Sequence, residues 1–445
     1  MTMRFDDFNS SIVKGAHAIV WSDPSTVMNG YYPLQYSNPK EELLASRKTA
    51  WLNASLTGMG SFDIVGPDAI KMLNERCVNR DFSTMKIGSS RHACTVTEDG
   101  WLENSSVLIR IGENAFRTYC MYNLIPVIMS GAYDVQFIPH DTYIFQVDGP
   151  KSLQVIEKAF QTDFHDLKFA QNKYVEVDGD QILVHRLGMS GALAYEIQGE
   201  PVSANTVYQM LVDAGEEFGL KRLGIRQYMC GGVHTPGGYP NSIVHNAVPG
   251  WLDPVVGAMT GVYYAPAGSS KEDLDDYYLT MFDMKWEYLI DWNHEFVGKA
   301  ALQKQAEGPH RTAVTLVWDR EDVGKVFAAG IYDPELKGEG IDDYNELFPA
   351  NYRIHVDKVL VGDKQVGTSM GRCVDYYTNQ FISMGFVASE HAAEGSVVEV
   401  LWGEPGGSQY HVKATVAPMP FYNGEWRNET CDVMAMVPER PYLAE

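Results

Sequence analysis

Apolar and polar positions in this chain follow two periods, and the changes between them mark its elements. Leu193, Tyr195 and Ile197 alternate with Ala194, Glu196 and Gln198. That period of two predicts a strand with Glu196 on the face away from Tyr195 and Ile197. RTAVTLVW, GSVVEVLW and QYHVKATV carry the same period further on. The last sets Tyr410, Val412, Ala414 and Val416 against Gln409, His411, Lys413 and Thr415, so a β-rich C-terminal part is expected. EFVGKAALQKQ, residues 295 to 305, predicts a short helix ahead of it. The acidic stretch 319 to 351, with its glycines and prolines, reads as an insertion or long loop.

The helical period is clearest in a repeated unit. FDIVGPDAIKMLNERC (62 to 77) and FQVDGPKSLQVIEKAF (145 to 160) share a phenylalanine, a Gly-Pro step and a helical pattern. Aligned on Gly66-Pro67 and Gly149-Pro150, the apolar positions Ile70, Leu73 and Cys77 match Leu153, Ile156 and Phe160. Proline supplies a helical φ where no N–H is needed. Each unit therefore reads as strand, tight turn and amphipathic helix, and two copies predict two related α+β subdomains.

Composition narrows the function. The 445 residues, 45% hydrophobic and 21% charged, suffice for two or three ordinary cores. No run of eighteen apolar residues occurs and the N-terminus lacks a signal pattern, so a soluble cytoplasmic protein is expected. A net charge of -23 repels phosphates and anionic membranes. The expected partner is a small molecule, not nucleic acid or membrane. The six cysteines form no metal spacing and read as free thiols, so no metal is expected. Walker, HExxH, GxSxG and dinucleotide motifs are missing.

Glu196 is the leading chemical candidate. Taken alone it is either a solvated sheet-edge acid or a rigidly held carboxylate able to accept two parallel N–H bonds from a planar donor edge. Gly188, Ser190 and Gly191 just before it would allow a flat ligand close to the backbone.

The Gly-Pro helix at 66 to 77, GALAYEI (191 to 197), GLKRLGIR (219 to 226), FVGKAAL (296 to 302) and SMGFVASEHAAEGSVVEV (383 to 400) recur in order over nearly the whole chain. Together they resemble the folate-dependent aminomethyltransferase of the glycine cleavage system and its demethylase relatives. The resemblance implies an α+β cloverleaf of two related subdomains plus a C-terminal β-barrel around a central channel for tetrahydrofolate. It divides the chain into a folate-binding region, 1 to 294, of two interleaved subdomains and a barrel, 295 to 445.

The resemblance also assigns residues. Glu196 takes the pterin amino group and ring N–H, Gln146 reads the remaining polar edge or is merely a strand-end residue, and Arg226 lies near the folate or braces a loop. Where the aminomethyltransferase has Gly-x-x-Asp-Asp, this chain has Gly100-Trp101-Leu102-Glu103-Asn104. Asn104, on the folate side, cannot carry the proton traffic of ammonia release, which argues against glycine cleavage.

The nearer resemblance is to tetrahydrofolate-dependent aromatic O-demethylases, through residues 29 to 52 and Tyr228 in IRQYM, which falls at the catalytic tyrosine. A phenol of pKa about 10 can donate to a leaving phenolate without ionising at neutral pH. Tyr31, Tyr32 and Trp51 are either aromatic walls of the substrate site or core. Thr57, in a segment where comparable demethylases have histidine, adjoins the substrate, and His234 in GGVHTPGGYP either meets a substrate carboxylate or is a bystander. The function expected is O-demethylation of a methoxylated aromatic with methyl transfer to N5. The alternatives are a same-fold lyase releasing formaldehyde, another folate-dependent demethylase or aminomethyltransferase, and a non-catalytic folate binder. Monomer and homodimer both stay open.

Overall fold

The computed structural model describes residues 20–21, 33–54, 61–119, 121–140, 142–224, 227–228, 264–338, 340–341, 352–421 and 423–443. Both repeats form as the pattern predicts. Strand Ser61–Val65 leads through Gly66-Pro67 into helix Ala69–Arg76, and strand Tyr143–Asp148 leads through Gly149-Pro150 into helix Ser152–Phe160. Each helix begins two residues after its proline. The glycines share one reason for being glycine. At Gly66 (φ 154°) a Cβ would lie 2.3 Å from the Asp134 carbonyl oxygen, and at Gly149 (φ 128°) 2.5 Å from that of Thr49, inside van der Waals contact with a neighbouring strand's entry.

Each repeat then adds three antiparallel strands. In the first they are Ser90–Val96, Leu102–Gly112 and Ala115–Tyr119, with Ala115–Tyr119 returning beside Ser61–Val65. In the second they are Asn172–Val177, Asp180–His185 and Ala194–Gly199, with Ala194–Gly199 beside Tyr143–Asp148. The sheets are completed differently. Gln136–His140 closes the first, whereas Ala50–Asn53, from earlier in the chain, pairs with Tyr143–Asp148 in the second.

Helices cover one side of each sheet. Met72 and Leu73 pack on Phe62, Ile64 and Phe116, and Leu153 and Ile156 pack with Tyr195, Ile197 and Leu211. Burying such a side chain fully contributes roughly 1.5–3 kcal/mol. The uncovered sides meet through Val107, Ile109 and Tyr119 of the first sheet and Ile144 and Leu183 of the second.

A closed six-stranded barrel forms the third part. Strands Tyr352–Val361, Lys364–Asp375, Gln380–Ala388, Arg311–Trp318, Tyr410–Ala417 and Val397–Trp402 run in that order, and the last pairs back to the first. Its core includes Leu316, Val359, Val400 and Val412. A separate cluster joins it to the first sheet, Cys94 and Leu102 packing with Met281, Val356 and Phe386. Helix Lys299–Glu307 precedes the barrel as expected.

The expected loop at 319 to 351 is corrected over its first part, where residues Arg320–Tyr332 are a helix. Asp319 caps it by accepting from the Glu321 and Asp322 amides, which satisfies two otherwise open donors. Only Val326 and Ala329 are buried from it, so the apolar stripe is too thin to show as a period. No helix among the described residues is long and apolar enough to cross a membrane.

Candidate active site between the two sheets

Strand pairing sets four polar residues in one row across the second sheet. His185 stands opposite Glu196, Glu196 opposite Gln146, and Gln146 opposite Asn53. All four are at most 1% exposed. Alternation explains the face, since Leu193, Tyr195 and Ile197 enter the helix-covered core and leave Glu196 on the side that meets the first sheet.

Glu196 accepts from Gln146 Nε2 at 2.9 Å and from the Tyr119 hydroxyl at 2.6 Å. His185 Nδ1 lies 3.9 Å away, and burial pushes that imidazole down to about 3, so it is neutral. Among the described residues no lysine or arginine reaches Glu196, and burial raises its carboxyl above the usual range while the two donors oppose the rise.

The first repeat holds the equivalent pair in a different state. Asp63 and Gln146 each stand three residues before their Gly-Pro step, and their partners across the sheet are Arg117 and Glu196. Arg117 and Asp63 form a two-bond ion pair at 2.8 and 3.1 Å, with His140 on Asp63 at 2.7 Å. The first repeat closes its polar pair on itself, whereas the second holds a buried carboxylate against a neutral amide and so keeps acceptor capacity for a donor from outside.

One step along the same face, about 7 Å away by strand geometry, Ala194, Asp148 and Trp51 form a second row. Burial, with Glu196 adding to it, pushes Asp148 up to about 8, although the Ser190 hydroxyl and amide oppose the rise. Two buried acids thus occupy adjacent rows on neighbouring strands. The reading of Gly188 is corrected. A Cβ there would lie 2.1 Å from Ala194 Cβ and 2.9 Å from Asp148 Oδ2, so its smallness admits the sheet's own side chains.

Tyr228 is buried and stands edge-on to Trp51 with ring centroids 5.9 Å apart. Ala45, Leu223 and Met189 complete that cluster. Trp51 is therefore core and neighbour to Tyr228 at once. Asn104 lies on the first sheet, buried and opposite Thr95. Two residues on, Ser106 Oγ donates to the Tyr119 carbonyl. Glu103, held by Asn123 Nδ2 at 2.8 Å, has its carboxyl raised by burial. Tyr31, Tyr32, Thr57, Arg226 and His234 lie outside the described residues.

The structure thus joins Glu196 to Gln146 and Trp51 to Tyr228, and adds Tyr119, His185, Asn53 and Asp148, which sequence reading missed. Asn53, Gln146 and Asp148 share the parity of Glu196 once the strands are paired, but no local pattern gives that pairing.

The site fits a flat heterocycle with a donor edge. Glu196 offers acceptor lone pairs, and the buried Gln146 Oε1 and Trp51 Nε1 have no hydrogen-bond partner among the described residues. Paired repeats thus enclose a buried polar face between them, with a closed barrel beside them.

Comparison with known proteins gives the class. Residues 24–230 match the family model described as the GCVT N-terminal domain. The chain is 35% identical over 434 residues to sesamin methylene transferase of Sinomonas sp. (strain No.22), covering 93% of this chain and 95% of that one. It is 28% identical to syringate O-demethylase of Sphingobium sp. (strain NBRC 103272 / SYK-6), covering 89% and 93%. The crystal structure of the glycine cleavage system aminomethyltransferase T from Bartonella henselae superposes with a TM-score of 0.64 at 16% identity, covering 94% and 98%, and shares the fold. The chain belongs to the folate-dependent aminomethyltransferase superfamily, near its aromatic O-demethylases, and is a tetrahydrofolate-dependent transferase.

Proposed function

We propose that this enzyme moves a one-carbon unit from an aryl ether to tetrahydrofolate, with a methoxylated aromatic as donor and N5 as acceptor. The observation that carries this reading is the adjacency of the two rows. Glu196 and Gln146 offer a pterin-holding pair, and the next row carries Trp51, against which the Tyr228 phenol is set. Bound tetrahydrofolate supplies the nucleophilic nitrogen that accepts the carbon.

The protein's part is positioning and proton supply. Glu196 fixes the ring by accepting from its amino group and ring N–H. Trp51 holds the Tyr228 ring, and the Tyr228 hydroxyl donates to the ether oxygen as the phenolate leaves, where negative charge develops. Fixing both reactants in this geometry can lower the barrier by several kcal/mol. Arg226, Asn104, Tyr31, Tyr32, Thr57 and His234 are proposed around them in the roles the sequence implies.

The 35% identity to a sesamin methylene transferase supports a second donor, a methylene carbon held between two aryl oxygens. Both aryl oxygens then leave as phenols, taking up the protons lost from N5 and N10, and the same phenol would serve the first to leave. Incubation with tetrahydrofolate and a panel of methoxybenzoates and methylenedioxyphenyl compounds, read by mass spectrometry, separates the two. 5-Methyltetrahydrofolate supports the first donor and 5,10-methylenetetrahydrofolate the second. Binding of folate with no one-carbon folate from any donor would sink both.

A further inference from the structure

Gln198 is a buried group that the roles above leave unused. It lies two residues beyond Glu196 on the same strand face and is 1% exposed, and neither Oε1 nor Nε2 has a hydrogen-bond partner among the described residues. Its neighbours across the sheet are Leu183 and Ile144, part of the apolar cluster between the sheets. Leaving a buried amide donor and acceptor unpaired carries a desolvation cost. A leucine would fill this place without that cost.

The repeat gives the position a second mark. Ser61 and Ile144 each precede their Gly-Pro glycine by five residues, and they face Tyr119 and Gln198 respectively. Gln198 is the counterpart of Tyr119, whose phenol already reaches Glu196 across the interface. Equivalent positions of both repeats thus send a polar group toward the space between the sheets.

We propose that Gln198 reads the N1/N8 edge of the pterin, with Nε2–H donating to N1 and Oε1 accepting from N8–H. The proposal rests on the folate reading above. A reduced pterin carries two donors side by side at its amino group and N3, which suit a carboxylate. At N1 and N8 it carries an acceptor beside a donor, and a carboxamide offers the complement of both without needing to hold a titratable proton. Direction agrees with chemistry. Trp51 and Asp148 lie in the row on one side of Glu196, and Gln198 lies on the other side along the same strand. N5 and N8 stand on opposite long edges of the ring, so a pterin held at Glu196 with N5 toward Tyr228 turns its N1/N8 edge to Gln198.

The test compares the wild type with Gln198→Leu, and with Gln198→Met should the leucine variant fold poorly. Calorimetry measures binding of tetrahydrofolate and of its 8-deaza analogue, which has carbon in place of N8–H. Melting of the ligand-free proteins is followed in parallel. The variant is expected to bind tetrahydrofolate about tenfold or more weakly, to bind both ligands alike, and to melt no lower than the wild type. The wild type should prefer tetrahydrofolate over the analogue. Unchanged affinity in the variant, or a preference for tetrahydrofolate that survives in it, would overturn the proposal. A wild type that binds neither ligand would instead defeat the folate reading on which it rests.

Discussion

Tyr119 and Glu196 occupy corresponding strands of the two repeats and meet across the interface, phenol to carboxylate, at 2.6 Å. The second repeat's acid is thus held by a residue of the first, and the site exists only where the two sheets face each other. Tyr119→Phe should remove a charge-assisted bond and weaken tetrahydrofolate binding by about tenfold, a loss of roughly 1.4 kcal/mol. Titration calorimetry checks it, and unchanged affinity would show that Glu196 is oriented without the phenol.

Glu196→Gln keeps the shape but replaces one acceptor by a donor that faces the pterin's own donors. Folate affinity should fall by about a hundredfold, as expected when a hydrogen bond to a charged group gives way to a mismatch. Melting of the free protein should change little or rise, because a buried carboxyl with no cationic partner among the described residues is removed. Equilibrium binding and a melting curve on one preparation decide both points.

Tyr228→Phe should lower kcat by about 10²-fold or more, the usual scale for one proton-transfer group, while folate affinity stays near that of the wild type. The edge-on contact with Trp51 is kept in phenylalanine. An equal loss of folate affinity in this variant and in Glu196→Gln would remove the distinction between their roles.

Asp148 gives a pH dependence with a definite sign. Its carboxyl is pushed up to about 8 in the folded state against about 3.9 in an unfolded chain. The folded state therefore holds a proton that the unfolded state releases, and stability is lost as pH rises from about 4 through 8. Asp148→Asn abolishes that loss, so its melting temperature relative to wild type should climb between pH 4 and pH 8 and level off above. A constant difference across that range would mean that Asp148 is ionised in the fold.

Gly149→Ala tests the repeat itself. The added methyl would press on the Thr49 carbonyl at 2.5 Å, at a φ of 128°. A destabilisation of about 1–3 kcal/mol or more is expected from backbone strain alone. Denaturant unfolding would show it, and a neutral result would mean that the second sheet tolerates separation of strand Ala50–Asn53.

Much of the architecture was open to reading in one dimension. The two Gly-Pro units needed only a shared period and a shared turn, both local properties. Alternation around Glu196 put it opposite Tyr195 and Ile197, as the structure has it. The helix Arg320–Tyr332 escaped because only two of its residues are buried, leaving no stripe for a periodic argument. The role of Gly188 was misjudged because sequence shows that a residue is small without showing what approaches it.

The chain's own order of residues determined the strands, the helices and which side chains each strand sends to which face, because those follow from φ, ψ and a period of two or 3.6. Tertiary structure alone decided that Glu196 would stand between His185 and Gln146, be met by Tyr119 from the other sheet, and share its burial with Asp148 one row away. Those relations depend on strand register and on the removal of water between two sheets. No local segment encodes either, and it is the loss of water that makes a carboxylate held by neutral donors a place for a ligand.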